Sequence, residues 1–162
     1  TRLIRSRFPA QLHYRIVRLS RCIVVGASGG IGGALAHALE GRGHDVLRMA
    51  RGSSTPAHRI DITDEESIAR AASVCAGAEP VQMVWVATGV LDAGTDTPEK
   101  SWKHLNGESL ARYFWINSIG PALVAKHFLP LLPRRGRAVF AVLSARVGSI
   151  GDNRLGGWYG YR

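Results

Sequence analysis

The chain has 162 residues, 46% hydrophobic and 20% charged, with two cysteines and a formal net charge of +9. That length carries one domain with a sizeable core, the composition excludes a disordered chain, and no apolar run approaches the roughly 20 residues of a membrane-spanning helix. The charge is uneven. Arg2, Arg5, Arg7, Arg15, Arg18 and Arg21 meet no acid in the first 21 residues and carry six of the nine charges. From residue 22 onward, 15 basic side chains oppose 12 acidic ones, so that part is only mildly basic, which argues against a nucleic-acid reading. Residues 1–20 read as a basic, solvated and disordered extension, with a nucleic-acid or membrane tail or an organelle-targeting segment as alternatives, and residues 21–162 as the domain. Cys22 and Cys75 have no metal-ligand spacing, so no metal is expected. They read as reduced, packed thiols in an intracellular, cytoplasmic protein.

The first element is an apolar strand, Ile23-Val24-Val25. It meets a glycine cluster (Gly26, Gly29, Gly30, Gly32, Gly33) and then a helical pattern through Ala34, Leu35, Ala36, Ala38 and Leu39. A strand, a glycine turn and a helix together point backbone N–H groups and a helix N-terminus at a phosphate. The spacing reads as G-x-x-x-G-x-G through Gly26, Gly30 and Gly32, or as G-x-x-G-x-x-G through Gly26, Gly29 and Gly32. Asp45 to Ala50 is a second strand, Arg51 to Pro56 a turn, and Arg59 to Ile62 a very short third strand. Thr63 or Asp64 caps a helix whose first turn holds Glu65 and Glu66 and whose apolar face is Ile68, Ala71, Ala72 and Cys75. Val81 to Ala87 is apolar throughout, as in a strand buried on both faces of a parallel sheet. After a polar loop over 89–97, Pro98 starts a short helix, and one long helix spans Glu108 to Leu132. Arg137 to Ser144 is another buried strand, and a loop over 145–157 leads into a helix start.

Strands alternating with helices predict βαβ units and a Rossmann-type doubly wound parallel α/β sheet. Ligands in such sheets bind beyond the C-terminal strand ends, so the candidate residues follow each apolar run. Arg51, ending the second strand beside Gly52, Ser53 and Ser54, suits a phosphate and favours NADP over NAD; otherwise it is a solvated turn arginine. Asp45 lies at the wrong edge of the same strand. Asp61 faces the adenine or simply terminates its strand. Ala87, Thr88 and Gly89 are small enough for close approach of a ribose or nicotinamide. Asn117, a poor helix former, either bonds a neighbouring element or marks a functional irregularity. Ser144 ends the last strand on the ligand side, and Tyr159 and Tyr161 follow a glycine-rich loop.

Together VGASGGIG, Asp61-Ile62-Thr63, Asn117, Ser144 and the terminal WYGYR resemble the short-chain dehydrogenase/reductase family, with C-factor-like members nearest in pattern. The resemblance covers residues 21–162. It implies a cofactor loop of Gly26, Ser28, Gly30, Ile31 and Gly32, and an adenine-side pair of Asp61 and Ile62. Asn117 supports a proton-relay water, Ser144 is the catalytic serine, and Tyr161 is the general acid/base, with Tyr159 as runner-up. Hydride would pass between NADP(H), or less readily NAD(H), and a small-molecule carbonyl or secondary alcohol. A homo-oligomer through the long helix is implied, with no nucleic-acid or membrane partner.

Three departures from the family pattern stand out. Val25 replaces the usual threonine, and Val86-Ala87-Thr88-Gly89 replaces N-N-A-G. The lysine of Y-x-x-x-K, which would tune the tyrosine and hold the nicotinamide ribose, would fall at 165, so the chain reads as truncated within that motif and as inactive alone. A non-catalytic dinucleotide-binding regulatory or signalling protein is the alternative. An extended epimerase-like member would use the second glycine spacing.

Overall fold

The computed structural model describes residues 20–77, 79–91 and 98–162. Four strands form one parallel sheet in the order β2-β1-β3-β4. They are β1 (Arg21–Val25), β2 (Asp45–Met49), β3 (Val81–Val86) and β4 (Val139–Val142). The chain winds from β1 outward to β2, then returns past β1 to β3. The switch in strand order therefore lies between β1 and β3, where a crevice opens at the C-terminal strand ends.

β1 is the centre of the core, with Cys22, Ile23, Val24 and Val25 fully buried. Side chains alternate across a strand, so the two faces of β1 serve two layers. Ile23 and Val25 join Val84, Val86, Ile68, Val124 and Phe128, under helices α2 (Glu65–Cys75) and α4 (Gly120–Phe128). Cys22 and Val24 meet Ala36 and Leu39 of helix α1 (Gly30–Glu40) on the other face. Burying each such aliphatic side chain contributes about 1.5–3 kcal/mol. At the foot of the sheet the β1–β3 register shifts between Arg21 and Cys22, and the Gln82 side chain accepts from the Arg21 N–H at 3.0 Å, so the irregularity leaves that donor satisfied.

The doubly wound parallel sheet predicted from the sequence is present, and Asp64 is the N-cap of α2, its carboxylate accepting from Glu66 N–H at 3.0 Å. Four local expectations are corrected. The third strand at 59–62 is only an isolated parallel bridge between Ala50 and Arg59. It lies between a 3-10 turn at Pro56–His58 and the turn closed by Asp64 N–H on Asp61 O, which leaves no room for a ladder. Pro98 starts no helix; the helical turn there is Trp102–His104, capped by Ser101. The long helix is also interrupted. Helix α3 (Gly107–Phe114) runs into a π-helical segment, Trp115–Ile119, before α4 and a 3-10 turn at Leu129–Leu131. Pro121 has no N–H to continue the ladder, and Gly120 N–H reaches back five residues to Trp115 O. A Cβ on Gly120 would lie 2.8 Å from Ile62 O, so only glycine lets the wide turn press against that backbone. The segment beyond Gly157 forms a turn closed by Arg162 N–H on Trp158 O rather than a defined helix.

The arginines of residues 1–19 and the loop at 92–97 lie outside the described residues. Among the described residues no helix is long and apolar enough to cross a membrane. Cys22 and Cys75 are free, buried thiols.

Candidate active site

Every strand of the sheet delivers residues to the same edge. β1 ends in a turn in which Gly26 and Ala27 N–H both donate to Met49 O, at 2.8 and 3.0 Å. Gly26 has φ +89°, and a Cβ there would meet Thr88 Cγ2 at 2.9 Å and the Ala87 carbonyl at 3.0 Å. Gly32 is buried beneath the turn, its α-carbon facing the Gly26 carbonyl too closely for any side chain. Gly30 differs: it is exposed, and a Cβ there would meet nothing within 4 Å. Gly26 and Gly32 therefore serve packing, and Gly30 leaves open space at the start of α1. The Gly29 cap supplies no side-chain hydrogen bond, so the first-turn N–H groups of α1 are left for a ligand.

Two adjoining cavities lie along this edge. The first, about 330 Å³, is lined by Gly26, Ser28, Arg51, Asp61, Ile62, Ala87, Thr88 and Gly89 among others. The Asp61 Oδ1 accepts from Thr63 N–H at 3.0 Å and Thr63 Oγ1 at 2.7 Å. Burial acts to raise the Asp61 pKa, but these two hydrogen bonds and the charge of Arg51 hold it below the ordinary carboxylate range. The second cavity, about 450 Å³, is lined by Ile31, Ala87, Thr88, Gly89, Asn117, Ser144 and Tyr161, with Leu143, Ala145, Gly148 and Arg162 beside them. The structure brings the predicted residues together, with Gly30 and Gly32 the two that line neither cavity.

Asn117 bonds a neighbouring element, the first alternative left by its sequence position. It lies in the π-helical segment, and its carboxamide pairs with the loop after β3: Oδ1 accepts from Val90 N–H and Nδ2 donates to Val90 O, each at 2.9 Å. Tyr161 is held by ring contacts, edge-on to Tyr113 and to Trp158 with centroids 6.4 and 6.3 Å apart. The approach to it is strained. Gly156, Gly157 and Trp158 all have positive φ, at 64°, 71° and 53°, and a tryptophan adopts that region only under constraint. Trp158 N–H donates to Glu99 O at 2.5 Å. Both oxygens of the Glu99 carboxylate are buried without a partner among the described residues.

Sequence reasoning missed two arginines. Arg162 donates from Nε to Gly157 O and from Nη1 to Val147 O, at 2.9 and 2.5 Å, tying the tyrosine turn to the segment after Ser144. Arg112 lines the first cavity with Arg51. Its signal was the i, i+4 spacing to Ile116, another lining residue, on a helix that reads as uninterrupted in sequence.

The residues fit a dinucleotide, on three observations. The open space at Gly30 adjoins uncapped N–H groups, the buried Thr88 Oγ1 has no partner among the described residues, and the two cavities share Ala87, Thr88 and Gly89 in their walls.

The sequence pattern of the NAD dependent epimerase/dehydratase family matches residues 22–105. The chain is 30% identical over 156 residues to 1-hydroxy-2-glutathionyl-2-methyl-3-butene dehydrogenase of Rhodococcus sp. (strain AD45), covering 89% of this chain and 64% of that protein. It is 27% identical over 106 residues to an uncharacterized oxidoreductase of Schizosaccharomyces pombe, covering 63% of this chain and 39% of that one. The chain thus spans less than two thirds of either curated relative. Among solved structures it is similar to a short-chain dehydrogenase/reductase of Burkholderia multivorans with bound NADP, at 26% identity and a TM-score of 0.76, covering 89% of this chain and 66% of that one. The chain belongs to the NAD dependent epimerase/dehydratase family, within the short-chain dehydrogenase/reductases.

Proposed function

We propose that this chain is the cofactor-binding and catalytic part of an NADP-preferring short-chain oxidoreductase that interconverts a small carbonyl compound and its secondary alcohol. The observation that carries the reading is that Asn117, Ser144 and Tyr161, from three separate stretches of chain, line one cavity of about 450 Å³ that shares Ala87, Thr88 and Gly89 with the cavity at the glycine turn. The pyrophosphate lies on the N-terminus of α1 near Gly30, the adenosine beside Asp61 and Ile62, and Arg51 takes the 2′-phosphate. The nicotinamide, when bound, supplies the hydride.

The protein's own work is orientation and proton transfer. The Ser144 hydroxyl donates to the carbonyl oxygen and fixes its position in the cavity. The Tyr161 hydroxyl gives its proton to that oxygen as negative charge develops there, and takes one back in the reverse direction. Asn117 keeps the β3 loop in place under the reacting groups and supports the water that returns a proton to Tyr161. Exposed Phe114 and Ile119 on the interrupted helix support association of copies through that face.

The test has two arms. Titration of this chain with NADPH and NADH is expected to show tighter binding of NADPH; equal affinity removes the assignment of Arg51. In the whole protein, Ser144→Ala and Tyr161→Phe are expected to abolish NADPH-dependent reduction across an aldehyde and ketone panel while leaving NADPH binding intact. Unchanged turnover in both variants overturns the catalytic roles.

A further inference from the structure

We propose that Arg112 is a specificity-determining residue that shares the adenosine 2′-phosphate with Arg51, an inference that rests on the NADP reading above. Arg112 lies in the last turn of α3, and with Ile116 one turn further on it borders the cavity that holds Gly26, Ser28 and Asp61. Beyond it, Arg51, Thr63, Arg112, Trp115 and Ile116 line an adjoining space of about 470 Å³. Neither the Arg51 nor the Arg112 guanidinium has a hydrogen bond or ion pair among the described residues. Two cations therefore border this outer space, and no acidic side chain lines it.

Charge balance makes the second arginine necessary. Asp61, the carboxylate lining this end of the first cavity, already feels the field of Arg51. Arg51 and Asp61 together are close to neutral and offer little net attraction to a phosphomonoester, which carries about −1.5 to −2 charges at pH 7. Arg112 restores the positive excess. Between two guanidiniums a phosphate gains charge-assisted hydrogen bonds from both, and their mutual repulsion is relieved. A 2′-hydroxyl gains neither, so Arg112 acts on the choice between the two dinucleotides. Thr63 completes the wall, its hydroxyl engaged with Asp61.

The experiment titrates the chain, its Arg112→Met and Arg112→Lys variants, and Arg51→Met with adenosine 2′,5′-bisphosphate and with adenosine 5′-monophosphate. These probes use only the adenosine half of the site. Arg112→Met is expected to weaken the bisphosphate by about 10- to 100-fold, the loss of one charged hydrogen-bond donor, and to leave the monophosphate within about twofold. Arg112→Lys should recover part of the loss, because it keeps the charge but not the fork. If Arg112→Met weakens both nucleotides equally, or neither, while wild type still prefers the bisphosphate, the inference fails and the cofactor reading survives. If wild type binds neither probe, the cofactor reading itself fails and takes the inference with it. Arg112 is exposed, so matching thermal melts for wild type and variants are expected and separate binding from folding.

Discussion

The carboxamide of Asn117 and the backbone of Val90 exchange two hydrogen bonds of 2.9 Å, which fasten the loop after β3 to the π-helical segment. Removing that side chain leaves one N–H and one C=O of Val90 half-buried and unpaired. Asn117→Ala is expected to cost about 1–3 kcal/mol on that account, read as a lower midpoint in urea unfolding. Asn117→Asp should be no better, since a carboxylate accepts from Val90 N–H but faces the Val90 carbonyl without a proton to donate. If Asn117→Asp melts like wild type, the paired geometry is not what matters there.

How much of this was legible in sequence depends on range. β1 is apolar at every buried position and its glycines follow at once, so strand, turn and helix could be read locally. Ser144 and Tyr161 could be placed because each follows a strand end or a loop on the ligand side. The interrupted helix could not, because its cause is spread over three features: Pro121 lacks a donor, Gly120 contacts Ile62 O in another element, and Asn117 bonds to Val90. Arg112 escaped for the same reason. Its neighbours in the cavity come from the segments that follow β1, β2 and β3 and from residues 60–63, and no local pattern joins them. The short strand at 59–62 failed because apolar character alone does not show that turns crowd both ends.

Gly26 and Gly30 separate folding from binding. Gly26→Ala puts a side chain at φ +89° against Thr88 and Ala87, and is expected to destabilise the fold by about 1–3 kcal/mol as well as impair NADPH binding. Gly30→Ala has open space around its Cβ. Its melting temperature should match wild type while NADPH affinity falls, because the methyl enters the space assigned to the pyrophosphate. Calorimetry and a binding titration on the same samples check both, and a Gly30→Ala protein that binds NADPH normally would place the pyrophosphate elsewhere.

Asp61 contributes to stability in a pH-dependent way whose sign follows from its lowered pKa. A carboxyl held below its ordinary value stabilises the fold fully above about pH 4, and that contribution is lost as acid protonates it through the folded value. Thr63→Val removes the Oγ1 donor at 2.7 Å and keeps the backbone one. The Asp61 pKa should therefore rise toward the ordinary range, as followed by carboxyl-carbon NMR shifts. Asp61→Asn should differ most from wild type at neutral pH and least once acid has protonated Asp61 in the folded protein. An Asp61 titration that ignores Thr63→Val would mean that the Thr63 hydroxyl does not help to set it.

Burial pushes the Cys22 and Cys75 thiols up to about 11. The thiolate is the reactive form, so both should resist an aromatic disulfide reagent at pH 8 in the native protein and both should react in denaturant. The two cysteines are the only ones in the chain, so the absorbance change counts them directly. Rapid release of one equivalent from the folded protein would show that a β1 or α2 thiol is open to solvent.

Gly160 decides where Tyr161 stands. A Cβ on Gly160 would fall 2.5 Å from the Tyr113 ring, 2.9 Å from Leu110 Cδ2 and 3.0 Å from Glu99 Oε1. Tyr113 is buried and donates to Leu91 O at 3.0 Å, and Glu99 is buried as well, so neither of these two swings freely into solvent, while Leu110 is half-buried. Gly160→Ala must therefore push the turn outward, moving Tyr161 away from its edge-on contacts with Tyr113 and Trp158. The overpacking is expected to cost about 1–3 kcal/mol. Its sharper signature is chemical: turnover in the whole protein should fall far more than NADPH affinity, because the glycine turn and Arg51 are untouched while the proton donor has moved. Leu110→Ala combined with Gly160→Ala removes one of the obstructing atoms and should restore part of the activity. A double variant no better than Gly160→Ala alone, with both proteins folded, would show that the crowding at Gly160 is not what positions the tyrosine.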